Sequence, residues 1–141
     1  MTDALRIELV EQGQQETYKG VDLLVNGRSI RDIAADEERY FDPELAGAYG
    51  LVPLEWITDR HLLGEVADQL SARTGKVAFL LCDGCLRAGC WPLVALVDVQ
   101  QDVVTWTEFE QPHRPEWDYG DLSFRFERSA DEQELQKVRP Q

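Results

Sequence analysis

Histidine, cysteine and basic residues are all scarce in this chain. Its 141 residues include two histidines, three cysteines and 14 lysines and arginines, against 27 aspartates and glutamates. The shortage of cations leaves a formal net charge of −13. A surface that negative repels nucleic-acid backbones and anionic membranes and attracts basic partners. No apolar run approaches the roughly 20 residues that a membrane-spanning helix requires. The opening Met1-Thr2-Asp3-Ala4-Leu5-Arg6 lacks the basic and apolar regions of a secretory signal. Few cysteines and no export signal together predict a cytoplasmic setting and reduced thiols, not a disulfide framework. Gly84, Gly89 and Gly120 belong to no loop followed by Lys-Ser/Thr, which excludes a P-loop.

What is present is globular. The hydrophobic fraction is 43% and the charged fraction 29%, ordinary values for a packed domain. No repeat, low-complexity tract or Pro/Gly/Ser-rich linker divides the chain, so residues 1–141 read as a single domain long enough to bury a core.

Leu5, Ile7 and Leu9 alternate with Arg6, Glu8 and Val10 at the period of a half-buried strand. A second strand spans Tyr18 to Val25, and Asn26-Gly27 marks a tight turn. Ser29 then caps a helix with Ile30, Ile33, Ala34, Tyr40 and Phe41 on one face. Asp42-Pro43-Glu44 predicts a second, short helix that buries Leu45, Ala48 and Tyr49. The apolar stretch Leu51 to Ile57, interrupted by Pro53, fits neither period. Thr58 or Asp59 caps a third helix, with Leu63, Val66, Ala67 and Leu70 as its stripe.

Residues 76–82, 90–99 and 102–110 are runs of β-formers joined by short connections, and 122–127 alternates cleanly. They predict an antiparallel meander with a turn at Gln100-Gln101. Ser129-Ala130-Asp131-Glu132 has the pattern of a capping box that opens a last helix. The fold class that follows is α+β: an antiparallel sheet, made of a C-terminal meander plus N-terminal strands, with helices packed on at least one face.

The chemistry-bearing residues concentrate in Cys82-Asp83-Gly84-Cys85-Leu86-Arg87-Ala88-Gly89-Cys90, spaced C-x2-C-x4-C. Counting outward from Gln100-Gln101 sets Cys90 opposite Gln111, and a hairpin about Ala88 sets Cys82 opposite Cys90. The meander also brings this loop to the same sheet end as Gln111 to Tyr119. Three readings follow. Cys82, Cys85, Cys90 and His113 supply the four ligands of a Cys3His zinc site, although a second closely spaced ligand pair is missing. Cys82 and Cys85 form a C-x-x-C pair, but redox pairs normally open a helix that lowers the first thiol's pKa, and this pair follows a strand. The plainest reading, and the favoured one, makes Cys82 and Cys90 small core hydrophobes with Cys85 incidental. A thiolate–histidine enzyme built on Cys85 or Cys90 with His113 has no recognisable signature around it.

Other candidates are weaker. His61, between Arg60 and Leu62, reads as an ordinary surface or helix-start residue. Asp36-Glu37-Glu38 reads as a solvated turn, because consecutive positions do not share a helical face. Trp106 is expected in the core and Trp117 as the anchor of the long loop.

The elements Gly89-Cys90-Trp91-Pro92 and Gln111-Pro112-His113-Arg114, with Val104-Thr105-Trp106 and Trp117-Asp118-Tyr119, resemble a family of small bacterial proteins. The resemblance covers residues 76 to 138. No activity is assigned to that family, so it brings no catalytic residue, cofactor or substrate to this chain, and Arg87 and Ala88 depart from its loop pattern.

These observations favour a non-catalytic interaction or binding protein that works through residues 83–89 and 111–121. His113, Arg114, Trp117 and Tyr119 are its expected exposed contacts, its expected partner is a basic protein, and no cofactor is expected. The alternative is a metal- or thiol-dependent protein or enzyme using Cys82, Cys85, Cys90 and His113, with zinc as the metal.

Overall fold

A computed structural model describes residues 2–13, 17–66, 76–82 and 92–139. Strands β1 (Leu5–Gln12) and β2 (Tyr18–Val25) pair antiparallel in unbroken register, from Leu5 opposite Val25 to Gln12 opposite Tyr18. Asn26 and Gly27 turn the chain with φ of 53° and 86°, the left-handed pair that a two-residue hairpin turn requires. Short β3 (Arg28–Ser29) returns along β2. Helix α1 (Ile30–Glu38) then starts at Ser29, whose Oγ accepts the Arg31 N–H at 3.3 Å.

The expected second helix is replaced by turns. Asp42 still caps, accepting the Glu44 N–H at 3.0 Å, but Gly47 reverses the chain at φ 72° and Tyr49 opens a strand. This strand, β4 (Tyr49–Pro53), divides its pairing between two neighbours. Tyr49, Gly50 and Leu51 pair with β5 (Val77–Cys82), whereas Val52 and Pro53 pair with β2. One buried strand thus joins the N-terminal hairpin to the meander. The expected third helix reduces to a single 3-10 turn at His61–Leu63, ended by Gly64 at φ 72°; Ala67 and Leu70 lie outside the described residues.

Strands β6 (Leu93–Val99), β7 (Val103–Glu110) and β8 (Phe124–Glu127) complete an eight-stranded antiparallel sheet, ordered β1-β2-β4-β5-β6-β7-β8 with β3 beside β2. Within the predicted runs, 77–82, 93–99 and 103–110 are strands. Strands β5 and β6 start in the counted register, with Val77 opposite Ala95 and Ala78 opposite Val94, and shift by one at Leu80 opposite Leu93. The β6–β7 register, in contrast, is corrected. The β6–β7 turn falls at Gln101-Asp102, with the Gln100 N–H on the Val103 carbonyl at 2.8 Å. Val99 therefore faces Val104, and an extra residue in β7 moves the pairing again, to Val94 opposite Glu110. That extra residue lies at a bulge where Glu108 adopts φ 52°.

The two sheet edges approach each other. The Asp3 N–H donates to the Arg125 carbonyl at 2.7 Å and Asp3 Oδ2 accepts the Arg125 N–H at 2.9 Å, forming a parallel bridge between the chain start and β8. Helix α2 (Arg128–Leu135) packs against β1 and β8. Its N-cap position is Glu127, so the expected Ser129 cap is corrected: Ser129 lies within the first turn and donates to Glu127 Oε1 at 2.8 Å.

A single core cluster runs through the sheet and both helices. Trp106 is wholly buried at its centre, with Phe79 and Phe126 ring centroids 4.5 and 4.7 Å away. Aromatic pairs at these separations and angles add to the area they bury. Among the described residues, no helix is long and apolar enough to cross a membrane.

Candidate functional site at one end of the sheet

The last turn of α1, the start of β4 and the long loop after β7 converge on Glu38. Ile30, Ala34 and Glu38 are successive i+4 positions, so the helix carries all three on its inner face, and all three are fully buried. The Glu38 Oε2 accepts hydrogen bonds from the phenols of Tyr49 and Tyr119, and Oε1 accepts the Gly47 N–H at 2.8 Å. The two phenol oxygens are 3.5 Å apart.

Burial raises the Glu38 carboxyl above its ordinary range, against the lowering effect of the three hydrogen bonds it accepts. Burial, joined by the Glu38 charge, pushes the Tyr49 phenol far up, and burial beside Tyr49 does the same to Tyr119. Both phenols therefore remain protonated donors. The first-half acidic run is corrected on this point: Glu38 is a buried junction and not part of a solvated turn.

The loop itself is a chain of turns organised by Gln111. Its side chain is fully buried, with Oε1 accepting the His113 N–H at 3.0 Å, while its carbonyl accepts the Arg114 N–H at 2.8 Å. The Arg114 carbonyl in turn accepts the Trp117 N–H at 2.9 Å.

Of the four expected contact residues, the structure places two at the surface. His113 is exposed and Arg114 half-buried, its Nη1 turned back to the His113 carbonyl at 3.2 Å. Trp117 and Tyr119 are only 6% and 4% exposed, which corrects their expected exposure. Trp117 lies under the loop and stacks on Phe41 with centroids 6.3 Å apart and planes at 21°. Tyr40 and Phe41 are the converse case. They were expected on the buried face of α1, but the helix ends at Glu38 and they stand 87% and 43% exposed.

The cysteine readings fall largely outside what is described. Cys85 and Cys90 lie beyond the described residues, and Cys82 is placed by its backbone, which pairs with Tyr49 and so reaches the same sheet end. Among the described residues, no group of three or more histidines, cysteines and carboxylates is placed to hold a metal. His61 is buried, not a surface residue, and its Nδ1 accepts the Thr58 N–H at 3.0 Å, which leaves Nε2 to carry the ring proton.

Residues that sequence reasoning missed are Glu38, Tyr49 and Gln111. For Glu38 a signal existed in the i+4 spacing from Ile30 and Ala34. No local pattern marks the other two, because their partners come from distant segments. No protein family, curated protein or solved structure matches this chain.

Proposed function

We propose that this protein is a non-catalytic, acidic binding protein that engages a basic polypeptide segment at the sheet end carrying residues 111–121; residues 83–89, expected to share in this, lie outside the described residues. The observation that carries this reading is the exposed pair Tyr40 and Phe41, of which Phe41 stacks on Trp117, flanked by acidic residues. Glu37, Asp42 and Glu44 bracket the pair along the chain, Asp36 pairs with Arg28 and with Arg39 beside Tyr40, and Glu116 and Asp118 bracket Trp117. Aromatic faces in an acidic setting favour lysine and arginine twice, through the ring quadrupole and through net charge. The Glu38 junction beneath the loop holds this face in one arrangement, which lowers the ordering cost of binding. His113 and Arg114 stand at the rim, and Trp117 and Tyr119 support the surface from below.

The test is titration of a fluorescent lysine- and arginine-rich peptide. Affinity is expected to fall steeply as salt rises past the point where the Debye length is about 8 Å. Joint Tyr40→Ala and Phe41→Ala substitution is expected to weaken binding by about tenfold, within the range of a lost cation–π anchor. Salt-insensitive binding, or unchanged affinity in the double variant, would reject the proposal.

A further inference from the structure

Strand β1 is one of the two edge strands of the sheet, and its outward backbone groups are not all used. Its parity is set by two hydrogen bonds. The Ile7 N–H donates to Glu134 Oε1 at 2.8 Å, and the Ile7 carbonyl accepts from Lys137 Nζ at 3.0 Å. Ile7 therefore points its backbone away from β2, and with alternation every two residues so do Leu5, Leu9 and Glu11. The neighbouring Asn26 N–H on the Ala4 carbonyl at 2.8 Å fixes the even positions as those bonded inward.

Along this edge the protein blocks some places and leaves another open. Asp3 is bonded to β8, and Ile7 is capped by Glu134 and Lys137, themselves paired at 2.8 Å. Among the described residues no other strand or helix takes the outward groups of Leu9 and Glu11, and the Glu11 carbonyl accepts only from Nε2 of its neighbour Gln12, at 3.0 Å. Native edges are normally blunted by lysine, proline or a bulge. The stretch Leu9-Val10-Glu11 has none of these, its one charge is Glu11, opposite Lys19, and its pairing with β2 is continuous. Among the described residues, Leu9 is also one of four large hydrophobic residues that stand exposed, at 41%.

Charge selects the occupant. Glu8 and Asp22 stand directly opposite each other in the β1–β2 register, an arrangement of like charges that costs stability. Among the described residues Glu8 meets only the exposed Arg6, at 3.2 Å, and Asp22 accepts from Ser29 Oγ at 2.6 Å. A strand laid against β1 places its own side chains in the same row, beside Glu8. A cation there offsets the Glu8–Asp22 repulsion, whereas a second copy of this chain, at −13, brings more negative charge.

We infer that the outer edge of β1 at Leu9 to Glu11 is a strand-addition site that takes an extended segment of a basic partner protein. Main-chain hydrogen bonds supply the affinity, and alternate lysine or arginine side chains beside Glu8 supply the preference. The site is separate from the loop end and does not rest on the function proposed there.

The probe is an acetylated, amidated Lys-Val-Lys-Val-Lys-Val peptide, with amide exchange of the full chain followed by NMR. Exchange at Leu9 and Glu11 is expected to slow at least tenfold on addition, while Val10, already bonded to β2, stays as it was. The same peptide with alternate N-methyl groups keeps its charge but cannot form the ladder, and it is expected to give no protection. Glu8→Gln is expected to weaken the protecting interaction several-fold. The Tyr40→Ala, Phe41→Ala variant is expected to leave it unchanged. Absence of protection, equal protection by the N-methylated peptide, or its loss in the Tyr40/Phe41 variant would overturn the inference. So would protection that grows with protein concentration alone, which would assign the edge to a second copy.

Discussion

Glu38 and Tyr119 lie 81 positions apart in the chain and share a buried hydrogen bond. That bond, with its counterpart from Tyr49, ties the end of α1 and the start of β4 to the loop after β7. Tyr119→Phe removes one donor from a fully buried carboxyl and is expected to cost about 1.5–3 kcal/mol, the range for a hydrogen bond to a charged group. The loss should be larger at neutral pH than below pH 4.5, the ordinary value for the Glu38 carboxyl, because the missing donor served the ionised form most. Glu38→Ala leaves two buried phenols and the Gly47 N–H without their acceptor, so it should cost more than Tyr119→Phe. Urea melts of these variants at both pH values check the order. Equal stability of Tyr119→Phe and wild type would show that the junction does not hold the loop.

Asp131 is a different kind of buried acid. It is 1% exposed in the first turn of α2, and neither carboxyl oxygen has a hydrogen-bond partner among the described residues. Burial, then the neighbouring Glu132 charge, raises it from 3.8 to about 7. The folded state therefore holds this proton more tightly than the unfolded chain. The sign follows: its stabilising contribution is complete below pH 3.8 and is lost as pH rises through about 7. Asp131→Asn does not titrate, so its stability relative to wild type should climb between those limits and then level off. A rise of at most about 4 kcal/mol corresponds to the full shift. A difference that is flat across this window would mean that the carboxyl is solvated in the folded protein.

Most of the second half was legible because its strands are runs of β-branched and aromatic residues with short connections. Phe124 and Phe126 alternate with polar residues, and Trp106 sits where a central strand buries it. Register was less legible. The bulge at Glu108 has no glycine to announce it, and one extra residue displaces every pair beyond it. Leu51 to Ile57 fitted neither period because the stretch crosses from β4 into a 3-10 turn at Leu54–Trp56. The helical stripe through Leu63 and Val66 stops at Gly64, a residue whose left-handed backbone ends the turn. The candidate site was legible only in outline. His113, Arg114, Trp117 and Tyr119 do share one loop, but which of them face water depends on Glu38 and Phe41, far away in the chain.

Glu108 provides the most direct test of how the register is set. It is exposed, lies inside β7, and adopts φ 52°, a left-handed conformation that L side chains rarely take. This backbone costs a non-glycine residue about 1–2 kcal/mol. Glycine avoids that strain, while its extra freedom in the unfolded chain returns about 0.5–1 kcal/mol of the gain. Glu108→Gly is therefore expected to stabilise the protein by up to about 1 kcal/mol, as the difference of those two effects. Glu108→Val should destabilise, because a branched Cβ tolerates the left-handed region least. Thr107→Gly, one residue earlier, has no positive φ to relieve and should lose about 0.5–1 kcal/mol. Urea midpoints at constant slope separate the three. A glycine at position 108 that destabilises as much as one at position 107 would show that the bulge is not strained, and that the β6–β7 register is set by the flanking side chains alone.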